Sequence, residues 1–275
     1  MDCGITNFGS CIPQIFFNFI LNLLNAPLQP LLTLVKDLMT NPINLNLFSS
    51  IWAIIVYVLS MFYGLLMLYS GFNFMISGYD AVKRAKAKEW FRNVFIMIVL
   101  VQASFFIYQL FVDLGSLLTT GVLSLVNNSF FLLTADNLSN IGLEFIFALF
   151  YGLILLFTVI ILTLRYIIIA IGVAFIPIGI FCYFIPPLRS YGKLIINFLG
   201  ICIFVTFIDA LIFLVCSQLL TIPLFSNIKI LIMISAFLFA DILMFYLMFF
   251  SAIKSSFDFV NRTSVMVASV AKYFV

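Results

Sequence analysis

The chain contains no histidine, and only 8% of its 275 residues are charged. The first absence removes the usual general base, the commonest metal ligand and the usual partner of a Ser or Cys nucleophile. The second removes a water-facing surface, because soluble domains carry about a quarter charged residues. Tryptophan is scarce, with 2 residues against 35 Phe. The 13 basic and 10 acidic side chains leave a net charge of +3, too thin to coat a nucleic-acid-binding face. Catalytic motifs are missing as well. The residues before Asp209 (Thr-Phe-Ile) and Asp241 (Phe-Ala) lack the Gly-x-Gly-Asp setting of an intramembrane aspartyl protease. No Gly-rich phosphate loop or metal-ligand cluster is present in the sequence. A non-enzymatic protein without cofactor or metal is expected.

What is present is apolar. Hydrophobic residues make up 65% of the chain and mean hydropathy is +1.28, the composition of an all-α polytopic membrane protein. Residues 51–76 carry no charge and residues 93–112 carry none beyond the preceding loop, so both are spans. Between them lies the one charge run, with Lys83, Arg84, Lys86, Lys88 and Arg92 beside Asp80 and Glu89. Such a loop is expected on the cytoplasmic side. Its pattern reads as a Gly78 turn, an Asp80 helix cap and a basic helix leading into the next span.

Two later spans follow at 194–220 and 230–253. The stretch 141–185 is ambiguous, because its 45 residues exceed one crossing and carry only Glu144 and Arg165. Two spans there give seven basic residues inside and six outside; a single crossing gives ten inside against two outside. The second distribution obeys the positive-inside rule. Five transmembrane helices are therefore expected, with six as the alternative, the N-terminus outside and the C-terminus cytoplasmic. The organisation is one membrane domain: an external or interfacial segment 1–46, a hairpin 47–112 with basic loop 78–92, an external segment 113–140, a helical bundle 141–254 and a cytoplasmic amphipathic tail 255–275.

Two polar stripes run along otherwise apolar helices. Gln14, Asn18, Asn22, Asn25 and Gln29 form an amide stripe on a helix expected to be interrupted at Pro27 and Pro30. That helix is expected at the outer interface, with a pore-lining role as the alternative. Ser116, Thr120 and Ser124 form a hydroxyl stripe with Asp113 and Asn127, so the second span should continue outward as an amphipathic helix. Both stripes are candidate interfaces, because a polar face on an apolar helix needs wet or polar neighbours. Cys3 and Cys11 flank a short polar segment; a small disulfide ring and two free thiols are both open readings. No Lys or Arg precedes the first apolar run, so this segment is expected to stay on the mature protein.

Arg165, Asp209 and Asp241 can all sit near the bilayer midplane, where an unpaired charge is costly. One reading is a buried cluster that fixes helix register. The other is a secondary transporter or small-solute channel that uses Asp209 or Asp241 to bind a proton or cation.

The hairpin pattern Gly71-Phe-x-Phe-Met-Ile-Ser-Gly78-x-Asp80-x-x-Lys83-Arg84-x-Lys86-Ala87-Lys88 resembles the membrane hairpins of type IV secretion systems. The run Arg165-Tyr…Pro177-Ile-Gly…Phe184-Ile-Pro-Pro187-Leu-Arg189-Ser-Tyr191-Gly192-Lys193 is similar to the Pro-containing span and basic aromatic turn of their polytopic channel subunit. That group comprises the TrbL-like conjugation proteins and their archaeal DNA-exchange relatives of the CedA type. The resemblance implies a non-enzymatic subunit of a DNA or protein transfer apparatus in the cytoplasmic membrane, an assembly platform or part of the conduit. It implies a homo-oligomer or a complex with a pilin-like subunit and a cytoplasmic secretion ATPase. Nucleic acid would then be transferred cargo, not the ligand of a base-reading site.

Overall fold

A computed structural model describes residues 8–127, 130–131, 141–226 and 228–271, and among these there is no strand. Cys3 lies outside the described residues, as do the side chains of Cys11, Gln14, Asn18 and Asn25. The helices are α1 (Phe8–Thr40), α2 (Ser49–Ile76), α3 (Ala81–Leu123), α4 (Ile141–Phe184), α5 (Arg189–Leu219), the single turn α6 (Pro223–Ser226) and α7 (Lys229–Ala271). Five described segments are long and apolar enough to cross a membrane: Leu45–Ile76, Ala81–Leu123, Ile146–Phe184, Pro186–Leu219 and Lys229–Phe250.

Local chemistry sets the ends of these helices. Asp80 Oδ1 accepts from the Val82 and Lys83 amides at 2.9 and 3.4 Å, which caps α3. The 43 residues that follow form one helix of about 65 Å at 1.5 Å per residue. The basic turns, the apolar span and the start of the hydroxyl stripe therefore share a single axis. α4 ends where Ile185 precedes Pro186 and adopts φ −89°, ψ 116°, since a following proline disfavours the helical region.

The ambiguous stretch 141–185 is one continuous helix through Arg165, which removes the six-span alternative among the described residues. Its 44 residues run on through Pro177, whose missing N–H leaves one helical bond unmade. α1 also departs from expectation. It passes through Pro27 and Pro30 without a break, because proline's fixed φ is itself helical and each ring removes only one donor. Near these prolines the Thr33 hydroxyl lies 2.9 Å from the Pro30 carbonyl and 3.2 Å from that of Gln29.

By packing, the chain divides into two units. One comprises Met1–Asn41, Gly115–Arg165 and Val205–Phe245. Here α1 buries Leu28, Leu32, Val35 and Met39, a stripe at helical spacing. The core of this unit is aromatic: the Phe213 and Phe237 rings are 4.6 Å apart, and Tyr151 lies 5.8 Å from Phe237. The Tyr151 hydroxyl donates to the Phe131 carbonyl, and Lys36 Nζ stands 4.9 Å from the Phe131 ring centre.

The other unit comprises Pro42–Leu114, Tyr166–Phe204 and Tyr246–Val275. Its core joins Val56 and Leu59 of α2, Val94, Met97 and Val101 of α3, and Ile180 and Phe181 of α4. Some polar groups inside it are paired across helices, while Tyr63 Oη, Ser70 Oγ and Trp90 Nε1 are buried with no hydrogen-bond partner among the described residues. Trp52 Nε1 donates to Ser104 Oγ at 2.9 Å, and the Tyr108 hydroxyl donates to the Ile169 carbonyl at 2.8 Å. Within this unit α4 and α5 meet through glycines: a Cβ on Gly192 would fall 2.6 Å from the Gly179 carbonyl oxygen, and one on Gly179 would fall 2.9 Å from Ile195 Cγ2.

Candidate functional site

A run of apolar residues on α4, α5 and α7 is broken by a few polar groups, and these are buried. Arg165 on α4 is 7% exposed, while Asp209 on α5 and Asp241 on α7 are each 3% exposed. The charges acting on Asp209 are those of Arg165 and Asp241. Asp241 Oδ2 has a hydroxyl partner, Thr158 Oγ1 of α4, at 2.9 Å. That hydroxyl is also 2.9 Å from the Ile154 carbonyl of its own helix, so its single proton serves one acceptor or the other. Asp209 Oδ1 is buried with no hydrogen-bond partner among the described residues. Around this cluster, Thr119 and Thr206 are fully buried, with their hydroxyls 3.3 Å apart and Thr119 held 2.8 Å from the Gly115 carbonyl.

The helical register explains why these groups meet. Thr158 lies two turns before Arg165 on the same face of α4, and Thr206 lies one turn before Asp209 on α5. Sequence reasoning singled out the three charges and missed Thr119, Thr158 and Thr206. For Thr158 and Thr206 the available signal was their spacing to the charges, since a threonine in an apolar helix otherwise satisfies its own hydroxyl on the preceding turn. With one guanidinium against two carboxylates, the cluster can lock three helices in register or hold a cationic species between the acids. Among the described residues, no group of three or more His, Cys, Asp or Glu is placed to hold a metal ion.

The basic loop forms a separate locus. Lys83 Nζ is 3.9 Å from Asp80 Oδ2, and the Arg84 guanidinium lies 6.0 Å from the Phe74 ring centre. Lys86, Lys88 and Arg92 are exposed. Across the Pro186–Pro187 turn, the Arg189 guanidinium stands 5.2 Å from the Tyr183 ring centre.

The stripes divide between inward and outward use. Asn22 and Gln29 are exposed on α1. Thr120 near the end of α3 and Ser124 just after it are exposed, with Ser124 Oγ returned to the Gly121 carbonyl. Ser116 instead donates to the Thr40 carbonyl at the end of α1. The stripe residue nearest the span is thus engaged inside the chain, and the outer two keep an open face.

No curated protein sequence and no solved structure matches the chain. One family model does, that described as TrbL/VirB6 plasmid conjugal transfer like protein, over residues 40–273. A match across both the hairpin with its basic turn and the helices that carry Arg165, Asp209 and Asp241 places the chain in the TrbL/VirB6 plasmid conjugal transfer-like family, as a multi-pass membrane protein of conjugal transfer and type IV secretion systems.

Proposed function

We propose that the protein is a non-enzymatic assembly platform, or one wall of the conduit, in a type IV secretion-like apparatus of the cytoplasmic membrane. In this reading the five spans run with the N-terminus outside and the C-terminus in the cytoplasm, an order that the distribution of Lys and Arg supports. The observation that carries the reading is the outward face of α2. Of its 28 residues only Val56, Leu59 and Ser70 are buried, while Ile54, Met61, Leu65 and Leu68 are exposed. An apolar helix that contributes so little to its own core has its surface available for lipid and neighbouring subunits. Asn22, Thr120 and Ser124 add polar faces that suit subunit contacts. The natural arrangement is a homo-oligomer or a complex with a pilin-like subunit and a cytoplasmic secretion ATPase, the passage running between subunits. Arg165, Asp209 and Asp241 act as a structural cluster inside each protomer.

Replacing Asn18, Asn22 and Asn25 together by leucine should leave the folded yield intact and abolish transfer in a conjugation or secretion assay. Normal transfer by that triple variant would remove the amide stripe from the assembly. The sidedness has its own test. Single cysteines at Ser10, Lys86, Ser190 and Ser269 should be labelled from outside, inside, inside and inside respectively, and outside labelling of Ser190 contradicts the five-crossing order. A second reading rests on the partnerless Asp209 Oδ1, a buried acid able to take up a cation. Solute or cation uptake by the purified protein in liposomes, lost in Asp209→Asn, would establish a secondary transporter or small-solute channel instead.

A further inference from the structure

Where α2 gives way to α3, an open pocket of about 520 Å³ is lined by Tyr69, Lys83, Lys86, Trp90, Pro186 and Pro187 among others. It has two characters. Lys83 and Lys86 supply ammonium groups three residues apart on one helix. Tyr69 and Trp90, whose rings meet edge-on at 6.1 Å, and the two prolines supply a rigid apolar wall. The pocket lies at the boundary of two candidate spans, Leu45–Ile76 and Ala81–Leu123, hence at the level of the lipid headgroups. The nearby carboxylates do not cancel its charge: Asp80 and Glu89 stand against Lys83, Arg84, Lys86, Lys88 and Arg92 on the same stretch. Of the carboxylates, Asp80 lies 3.9 Å from Lys83, and its Oδ1 is engaged in capping.

From this geometry we infer that the pocket is a site for an anionic phospholipid. The phosphate sits between the Lys83 and Lys86 ammonium groups, and the glycerol and upper acyl carbons lie on Trp90, Tyr69 and the Pro186–Pro187 turn. Lysine suits a phosphate as a strongly hydrated point charge, and basic pockets beside transmembrane helices recognise such headgroups. A free phosphate offers the lysines the same charge but leaves the aromatic wall uncovered. A nucleic-acid backbone offers the charge but has no acyl chain to place against that wall. The inference stands independently of the transfer reading.

The two tryptophans of the chain make a direct test available. Trp52→Phe leaves Trp90 as the sole indole, and Trp90→Phe in the otherwise native protein gives the reference to subtract should the first variant fold poorly. The protein is reconstituted in phosphatidylcholine vesicles that contain brominated phosphatidylglycerol or, at the same mole fraction, brominated phosphatidylcholine. Trp90 emission should be quenched markedly more by the brominated anionic lipid. Lys83→Gln with Lys86→Gln should erase that preference, corresponding to roughly a thirty-fold loss in affinity on the scale of two lysine–headgroup contacts. Equal quenching by the two lipids, or a preference that survives the double substitution, overturns the site. So does loss of the preference on adding millimolar inorganic phosphate, which would assign the pocket to a soluble anion, or on adding a single-stranded oligonucleotide, which would assign it to nucleic acid.

Discussion

Arg165→Leu should cut the yield of folded, detergent-extracted protein severely and lower its melting temperature. The residue is 7% exposed and, among the described residues, its charge acts on Asp209, which also feels Asp241. Without it, two buried carboxylates that act on each other lose the positive charge of Arg165. Breaking a buried charge arrangement by removing one partner costs about 3–5 kcal/mol, whereas removing the whole arrangement can be nearly neutral. The second half of that rule makes the prediction specific. Arg165→Leu with Asp209→Asn should recover much of the yield, since Asp241 still has the Thr158 hydroxyl at 2.9 Å. Arg165→Leu with Asp241→Asn should recover less, because the surviving Asp209 has a buried oxygen with no partner to fall back on. Size-exclusion profiles and thermal melts of the four proteins decide it. A wild-type melting temperature for Arg165→Leu, or equal rescue by the two double variants, would remove the structural role of the cluster.

The outline of these helices is readable from residues whose effect is local. An uncharged run at 51–76, the Gly78 turn and the Asp80 cap announce where α2 stops and α3 begins, because capping depends on neighbours within one turn. Charge bias also chose correctly for 141–185, since topology responds to where Lys and Arg lie and not to the length of the apolar run between them. Prolines were less informative. Pro27 and Pro30 announce a break, yet α1 passes through them, so the cost of the proline ring and its missing N–H is less than that of giving up the turns on either side.

Long-range partners are the part that could not be read. On helices apolar all round, hydrophobic periodicity does not say which face turns inward. The contact of Thr158 with Asp241, and that of Tyr108 with the Ile169 carbonyl, depends on the rotation of each helix about its axis. Glycine positions have the same difficulty. Nothing near Gly64 or Gly192 in the sequence says that one lies open and the other lies against a neighbouring backbone.

Gly192→Ala should be markedly more destabilising than alanine at Gly172, Gly152 or Gly64. Its Cβ would press on the Tyr183 amide nitrogen, 2.6 Å from Tyr183 Cα and 2.6 Å from the Gly179 carbonyl oxygen. These are backbone atoms of α4, which cannot swing aside as a side chain can, so α4 and α5 would have to separate. Overpacking of this kind costs about 1–3 kcal/mol, and backbone obstruction belongs at the upper end. Gly172→Ala should cost less. Its Cβ meets the Tyr108 hydroxyl and comes 2.7 Å from Leu199 Cδ2, both ends of side chains, although moving Tyr108 gives up its 2.8 Å bond to the Ile169 carbonyl. Gly152→Ala meets only Leu28 Cδ2 at an ordinary 3.6 Å, and Gly64→Ala meets nothing within 4 Å. For these two the higher helix propensity of alanine, worth up to about 1 kcal/mol, makes neutrality or a small gain the expected result. Melting temperatures in one detergent should therefore rank Gly192→Ala lowest, then Gly172→Ala, with Gly152→Ala and Gly64→Ala at or above the native value. Because Gly192 follows closely on the Pro186–Pro187 turn, separation of α4 from α5 there should also displace the pocket wall and shift Trp90 emission. Gly192→Ala melting together with Gly64→Ala would mean that α4 and α5 are not held at backbone contact, and the tight-crossing account of this helix pair would fall.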